Sequence, residues 1–355
     1  MSGKAHRTIN LLIVDDSAVV RKVLSEELSR YADINIVGTA VDPYVARDKI
    51  VKLQPDVLTL DIEMPRMDGL SFLAKLMRHY PMPVVVLSSL TPENSETALK
   101  ALDMGAVEVL CKPGSSFSVE DAARDIVRAV RAAAGAAVHA CPAPVPGQGR
   151  SEPLDIRIVH TTRKVVAIGA STGGTRALEC VLKGFPASMD GVVVVQHMPA
   201  KFTAAFAGRL NGACSLQVRE AAHNDRVVPG RVLLAPGNRH MLLAREGGDY
   251  VVKLKDGPRV HYQRPSVDVL FKSVARHAGK NAVGVLLTGM GSDGADGLLA
   301  MHREGAHTLA QDEQSCVVFG MPKAALALGA VDRVVPLDQV PSAVVHHLQG
   351  EAAAA

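Results

Sequence analysis

Residues 165–174 read V-V-A-I-G-A-S-T-G-G, and the reading of this stretch decides the fold of the C-terminal half. Four apolar residues, Val165 to Ile168, stop abruptly at Gly169-Ala170-Ser171-Thr172-Gly173-Gly174, and an amphipathic segment begins near Thr175. A short apolar run, a tight glycine turn and a helical period spell strand, turn, helix. Ser171 lies at the tip of the turn, at the N-terminal end of the coming helix. The spacing Gly169-x-Ser171-x-Gly173 has the form of a nucleophile elbow, in which small neighbours permit a turn sharp enough to lift a serine hydroxyl clear of the sheet. The stretch taken alone also fits a structural glycine turn or a phosphate-cradling loop.

Downstream, strand signals recur at Val192–Val195, Val232–Ala235, Ala282–Leu287, Thr308–Ala310 and Val331–Val335, with helical segments between several of them. Antiparallel strands are expected around Val251–Leu254 and Val260–Tyr262. The pattern predicts an α/β domain on a parallel sheet. Three of its strand ends carry chemistry. The first bears Ser171, the second runs into Gln196-His197-Met198-Pro199, and the third into Thr288-Gly289-Met290-Gly291-Ser292-Asp293-Gly294. A parallel sheet gathers these ends at one edge, where Ser171, His197 and Asp293 can meet. Ester hydrolysis needs that trio: a neutral serine is a weak nucleophile, an imidazole takes its proton, and a carboxylate holds the imidazole in the right tautomer. The chain order Ser, His, Asp differs from that of α/β-hydrolases, where the acid precedes the histidine. The backbone N–H of Thr172 and an N–H near Met290 are the candidates for oxyanion donors. Asp293 and Asp296 are not separated by pattern alone.

Upstream, five short apolar runs, Leu11–Val14, Ile34–Thr39, Val57–Leu60, Val84–Leu87 and Val107–Leu110, alternate with helical segments. This rhythm predicts a five-stranded, doubly wound parallel sheet. Asp15, Asp16, Asp61, Ser88 and Lys112 all fall at C-terminal strand ends, the edge where open α/β sheets bind ligands. Three carboxylates together repel one another, and Mg²⁺, a hard cation that takes oxygen ligands, would neutralise them. A carboxylate held beside Mg²⁺, a lysine and a hydroxyl can attack phosphorus and form an acyl phosphate.

The remainder of the chain bounds these readings. The 355 residues suffice for two domains, and 48% of them are apolar, with no tryptophan, so the cores rest on Val, Leu, Ala and Met. A formal charge of +3 gives no reason to expect nucleic acid or a membrane surface as a partner. Five scattered cysteines without C-x-x-C spacing argue against a disulfide framework or structural zinc. The N-terminus has no signal-peptide core, and no apolar run is long enough to span a bilayer. The expectation is a cytoplasmic protein with no direct membrane insertion. Residues 133–163, rich in Ala, Pro and Gly, are expected to link a domain at 8–132 to a second at 164–348.

D-D-S at 15–17, D-I-E-M-P-R-M-D-G at 61–69, S-S-L-T at 88–91 and C-K-P-G at 111–114 resemble a response-regulator receiver domain of flavodoxin-like fold. That resemblance implies Asp61 as phosphoacceptor, and Asp15, Asp16, Asp61 and the backbone carbonyl of Glu63 as Mg²⁺ ligands. It also implies Ser88 as switch hydroxyl and Lys112 as phosphate-binding lysine. Many receivers carry an aromatic three positions before the lysine, where this chain has Val109. I-G-A-S-T-G-G at 168–174, Q-H-M at 196–198, A-P-G-N-R-H-M at 235–241, R-P-S-V-D at 264–268, T-G-M-G-S-D-G-A at 288–295 and G-M-P-K-A-A at 320–325 resemble the catalytic domain of the chemotaxis protein-glutamate methylesterases, the CheB family. This second resemblance implies Ser171 as nucleophile, His197 as general base, Asp293 as the acid that orients it, and Thr172 and Met290 at the oxyanion site. It implies methyl-accepting chemotaxis receptors as substrate, with release of methanol, deamidation of receptor glutamines, and a chemotaxis histidine kinase as phosphodonor. No cofactor is implied for the esterase. Arg264, Pro265, Ser266 and Asp268 are read as a loop near the site, equally explained as a cap or salt bridge.

Two other classes make different demands. A DNA-binding regulator requires a basic helix-turn-helix after the linker, and none is visible. A dinucleotide-binding oxidoreductase requires G-x-G-x-x-G, yet Ser171 occupies the second glycine position.

Overall fold

The structure, a computed structural model, describes residues 8–65, 67–89, 91–112, 119–136 and 164–352. Of the linker expected at 133–163, residues 133 and 134 belong to the helix that ends at Ala134, and residues 137–163, with Cys141, lie outside the described residues, as do Pro113-Gly114. The chain divides into two units, Met1–Val145 and Pro146–Ala355.

In the first unit, strands β1 (Ile9–Val14), β2 (Ile34–Ala40), β3 (Val57–Asp61), β4 (Val84–Ser88) and β5 (Glu108–Cys111) alternate with helices α1 (Ala18–Leu28), α2 (Pro43–Leu53), α3 (Gly69–His79), α4 (Pro92–Asp103) and α5 (Val119–Ala134). The sheet is wholly parallel, in the order β2-β1-β3-β4-β5. Helices cover both faces of such a sheet, which is why β3 and β4 read as unbroken apolar runs and are buried throughout. The helices start where the sequence supplies caps. Ser17 accepts from Val20 N–H, Asp42 from Tyr44 and Val45 N–H ahead of Pro43, and Asp68 from Ser71 N–H.

The second unit is built on a seven-stranded parallel sheet. Its strands are β6 (Val165–Ala170), β7 (Gly191–Gln196), β8 (Gln217–Glu220), β9 (Arg231–Leu234), β12 (Ala282–Leu286), β13 (His307–Gln311) and β14 (Arg333–Val335). Their order is β14-β13-β12-β6-β7-β9-β8. The connectivity runs one way from β6 through β7 and then resumes on its other side at β12, so the switch point of the sheet falls between β6 and β12. Open α/β sheets bind their ligands outside the strand ends at such a point. Helices α6 (Gly174–Lys183), α7 (Phe202–Ala213), α8 (Val267–Ala278), α9 (Ala295–Arg303), α10 (Met321–Ala327) and α11 (Val340–Ala352) complete the unit. Lacking tryptophan, the core takes Phe185, Phe202, Phe206 and Phe271 as its largest fully buried side chains.

An antiparallel hairpin, β10 (His240–Glu246) with β11 (Asp249–Lys255), forms a separate two-stranded sheet. It includes the strand expected at Val251–Leu254. The second one, at Val260–Tyr262, is absent. Val260 and Gln263 exchange backbone hydrogen bonds across a tight turn, and His261 and Tyr262 take left-handed φ values of 50° and 62°, which an extended strand cannot accommodate. No described helix is long and apolar enough to cross a membrane.

Candidate active site and phosphorylation site

The three strand ends named from the sequence are neighbours in the sheet. Strand β6 pairs with β7 on one side and β12 on the other. Two backbone bonds extend this pairing past the strands: Ser171 N–H donates to Thr288 C=O at 3.0 Å, and His197 N–H donates to Ala170 C=O at 3.1 Å. The turn beyond Ser171 is set by Gly173, whose φ of 78° suits glycine, and a Cβ there would lie 2.6 Å from that of Val317. A Cβ on Gly289 would stand 2.7 Å from Ser171 Cβ and would also strike Met321 Sδ, so only glycine lets the third loop approach the serine.

His197 and Asp293 meet directly, Nε2 to Oδ2 at 2.7 Å, and both are buried. Asp293 accepts three further hydrogen bonds. Val267 N–H reaches Oδ2 at 2.8 Å, while Ser266 Oγ at 2.8 Å and Asp268 N–H at 3.0 Å reach Oδ1. Burial pushes its carboxyl pKa upward. The hydrogen bond and charge of His197, with the Asp268 N–H and Ser266 hydroxyl behind them, more than reverse this and bring it down to about 2. An ionised Asp293 is an acceptor only, so the His197 Nε2 that faces it carries a proton. His197 Nδ1 and Ser171 Oγ are both buried and both without a hydrogen-bond partner. They do not bond each other here, and catalytic hydrogen bonds are often made only with substrate in place.

Thr172, the residue after the serine, is buried, and its carbonyl accepts the Thr288 hydroxyl at 3.0 Å. Met290 is half-buried, next to Gly289, whose carbonyl accepts from Gly320 and Met321 N–H. The aspartates left unseparated by the sequence now differ: Asp293 is buried on His197, whereas Asp296 is exposed at the start of α9.

The R-P-S-V-D loop matters more than its reading as a cap implied. Ser266 does cap α8, accepting from Val269 N–H, and it also donates to Asp293. Asp268 accepts from Gly294 and Gly297 N–H and so holds the turn that carries Asp293. His261, Asp268 and Asp293 form one potential metal grouping. Their facing atoms are already taken up by hydrogen bonds to His197, Ser266, Gly294, Gly297 and one another, which leaves no donor set for a cation.

In the first unit, Asp15, Asp16 and Asp61 place carboxylate oxygens within 4.8 Å of one another. Asp15 and Asp61 are buried and Asp16 is exposed. Lys112 Nζ bridges the buried pair, 2.6 Å from Asp61 Oδ2 and 3.1 Å from Asp15 Oδ2. Burial raises the Asp61 pKa to about 6, against the opposing pull of Lys112 and the Glu63 N–H, with Asp15 adding to the rise. Three carboxylate oxygens gathered within 4.8 Å of one another fit a small divalent cation by their hard-oxygen chemistry. Glu63 lies at this edge, its N–H on Asp61 Oδ1 at 2.9 Å and its carboxylate on Ser89 Oγ at 2.9 Å. Ser88 is buried at the end of β4 and turns its hydroxyl to Ser89 C=O, not to Asp61. Val109 is buried within β5.

A parallel α/β unit with a buried Ser-His-Asp grouping, preceded by a flavodoxin-like unit with an acidic strand-end pocket, defines a response-regulator hydrolase. Sequence models agree in both halves: the response regulator receiver domain matches residues 11–124, and CheB methylesterase matches residues 166–344. The chain belongs to the CheB methylesterase family in its receiver-bearing form. It is 58% identical to a protein-glutamate methylesterase/protein-glutamine glutaminase of Syntrophus aciditrophicus, over 95% of this chain and 98% of that one. The corresponding protein of Bdellovibrio bacteriovorus is 51% identical, over 98% and 99%. Among solved structures, the Thermotoga maritima CheB methylesterase catalytic domain aligns with a TM-score of 0.51 at 36% identity, covering 52% of this chain and 98% of that one.

Proposed function

We propose that this protein hydrolyses glutamate methyl esters on the cytoplasmic helices of methyl-accepting chemotaxis receptors, releasing methanol, and deamidates receptor glutamines by the same chemistry; its relatives are named protein-glutamate methylesterase/protein-glutamine glutaminase. The observation that carries the reading is the buried imidazole that commits Nε2–H to Asp293 and keeps Nδ1 free, at the strand end next to a serine whose hydroxyl is also free. Ser171 Oγ attacks the ester carbonyl as His197 Nδ1 takes its proton. The charge that forms on the carbonyl oxygen falls to the Thr172 and Met290 N–H groups. The C–O bond to methoxide breaks, and His197 returns the proton to release methanol. Water then attacks the acyl-serine with His197 as base, giving glutamate and free Ser171. With glutamine, ammonia is the leaving group.

Control of this activity is assigned to the receiver at residues 8–132, joined through 133–163 to the catalytic domain at 164–348. Asp61 accepts a phosphoryl group from a chemotaxis histidine kinase, and Lys112 and the Ser88 hydroxyl receive its oxygens. Asp15, Asp16, Asp61 and the Glu63 carbonyl would hold Mg²⁺, which would offset the negative charge gathered there. Phosphorylation relieves inhibition of the esterase. The setting is cytoplasmic, with neither nucleic acid nor membrane insertion involved.

The test is methanol release from a methylated chemoreceptor cytoplasmic fragment, with and without a small acyl-phosphate donor plus Mg²⁺. Donor-stimulated release that disappears in Ser171→Ala supports the reading in both halves. Release in Ser171→Ala would sink the mechanism, and release indifferent to the donor would sink the regulation.

A further inference from the structure

We infer that Gln196 is a positioning residue for the hydrolytic site, one whose side-chain amide ties the peptide of Ser171 to the peptide of His197. The inference rests on the assignment of those two residues as nucleophile and base. Gln196 is the last residue of β7 and is 3% exposed. Its Nε2 donates to Ser171 C=O at 2.9 Å and to His197 C=O at 3.1 Å. Both partners are carbonyl oxygens, so the orientation of the amide is fixed by chemistry: only the NH₂ end can serve them. One planar group therefore spans two strand ends whose backbones carry the reacting side chains. The backbone already joins these strand ends through His197 N–H on Ala170 C=O, and the Gln196 amide adds a side-chain link to both carbonyls.

Oε1 of the same amide is buried with no partner. It is packed so close to the start of α6 that a Cβ on Gly174 would collide with it. A buried acceptor left unmet costs stability, and the two hydrogen bonds that the NH₂ donates offset that cost. The two donors are what the amide contributes, and both act on the site. Ser171 C=O also accepts Gly174 N–H, so the clamp fixes the junction between nucleophile and helix as well. Rotation of the Ser171 peptide would shift Oγ relative to His197 Nδ1, and a displacement on the ångström scale costs rate steeply.

The experiment uses the full chain and a fluorophosphonate, which phosphonylates an activated serine, alongside methanol release from receptor fragment. Gln196→Met keeps the length of the side chain and removes both donors; Gln196→Glu keeps its shape and removes the NH₂ group. The expected result in both is a fall in phosphonylation rate and in kcat of about 10- to 100-fold. KM should be unchanged, because the buried side chain touches no substrate. The downfield proton resonance of His197 Nε2–H on Asp293 should persist, which a general loosening of the unit would not allow. Were the Met variant insoluble, the Glu variant carries the same readouts. Wild-type phosphonylation rate and kcat in a folded variant would overturn the inference. So would loss of the His197 resonance together with the fall in rate, which would make Gln196 a scaffold residue. Failure of the unsubstituted protein to label at Ser171 would overturn the nucleophile assignment and, with it, this inference.

Discussion

Replacing Asp293 with asparagine alters one atom of a side chain that accepts four hydrogen bonds, two on each oxygen. Asparagine offers one acceptor oxygen and one donor NH₂, so on one side a donor must face a donor. With the NH₂ toward Ser266, the hydroxyl turns to accept, but Asp268 N–H is orphaned at a cost of about 1–3 kcal/mol. With the NH₂ toward His197, the ring must move its proton to Nδ1, which then cannot accept from Ser171; the same tautomer error in a serine protease costs about 10⁴-fold in kcat. The lost charge weakens the same contacts. The carboxyl is held at about 2 against an ordinary 3.8, and at about 1.4 kcal/mol per unit the ionised form contributes about 2 kcal/mol to stability. A lowered folded-state pKa means that this contribution is present above about pH 4 and is lost as pH falls toward 2. The two figures share the His197, Asp268 and Ser266 hydrogen bonds and so overlap, which puts the destabilisation at about 2–3 kcal/mol at pH 7, narrowing as pH approaches the folded pKa. Urea unfolding followed by hydrogen exchange and mass spectrometry reads the two units separately, with methanol release as the activity assay. An Asp293→Asn variant of unaltered stability and kcat at pH 7 would refute both the hydrogen-bond argument and the role of the acid.

Gly289→Ala should cut kcat at least tenfold and destabilise the unit by about 1–3 kcal/mol, because the new methyl presses on Ser171 and Met321; unchanged turnover would show that the third loop is free to withdraw. Lys112→Ala leaves Asp15 and Asp61 facing each other while buried, at a cost of about 3 kcal/mol to the receiver without metal. Mg²⁺ should then raise its melting temperature more than that of the unsubstituted protein, and equal shifts would count against cation binding at these carboxylates. Asp61→Asn should take no phosphoryl group from a small donor, read by intact mass; a phosphorylated variant would mean that the acceptor lies elsewhere. Phe271→Ala, at a fully buried position beneath the Asp268 turn, should cost about 3–5 kcal/mol in denaturant unfolding of the second unit.

The parallel strands were legible because burial on both faces makes them plain apolar runs, and each run ends where the chain turns, which marks its last residue. That is why Asp15, Asp61, Ser171 and His197 stand out in the sequence. Other parts of the site act through distant groups that no local pattern records. Gln196 serves a carbonyl 25 residues away, Ser266 a carboxylate 27 away, and Asp268 an N–H 29 away. Gln311, buried at the end of β13, accepts Thr288 N–H and was equally silent. Asp293 and Asp296 differ only in burial, which three residues of spacing in a glycine-rich turn cannot express. Strand β8 escaped because four residues on a sheet edge, one face of them exposed, carry too little apolar signal.

The pairing of β6 with both β7 and β12 has a consequence for the chain as it is made. The serine and histidine leave the ribosome 26 positions apart, but the strand that completes their other flank, and the aspartate beyond it, emerge about 90 residues later. Until then the imidazole has nothing to fix its tautomer, and the serine N–H has no Thr288 carbonyl to meet. A polypeptide that stops short of Asp293 therefore carries the proposed nucleophile without the means to use it, and hydrolytic competence arrives only once Asp293 has emerged.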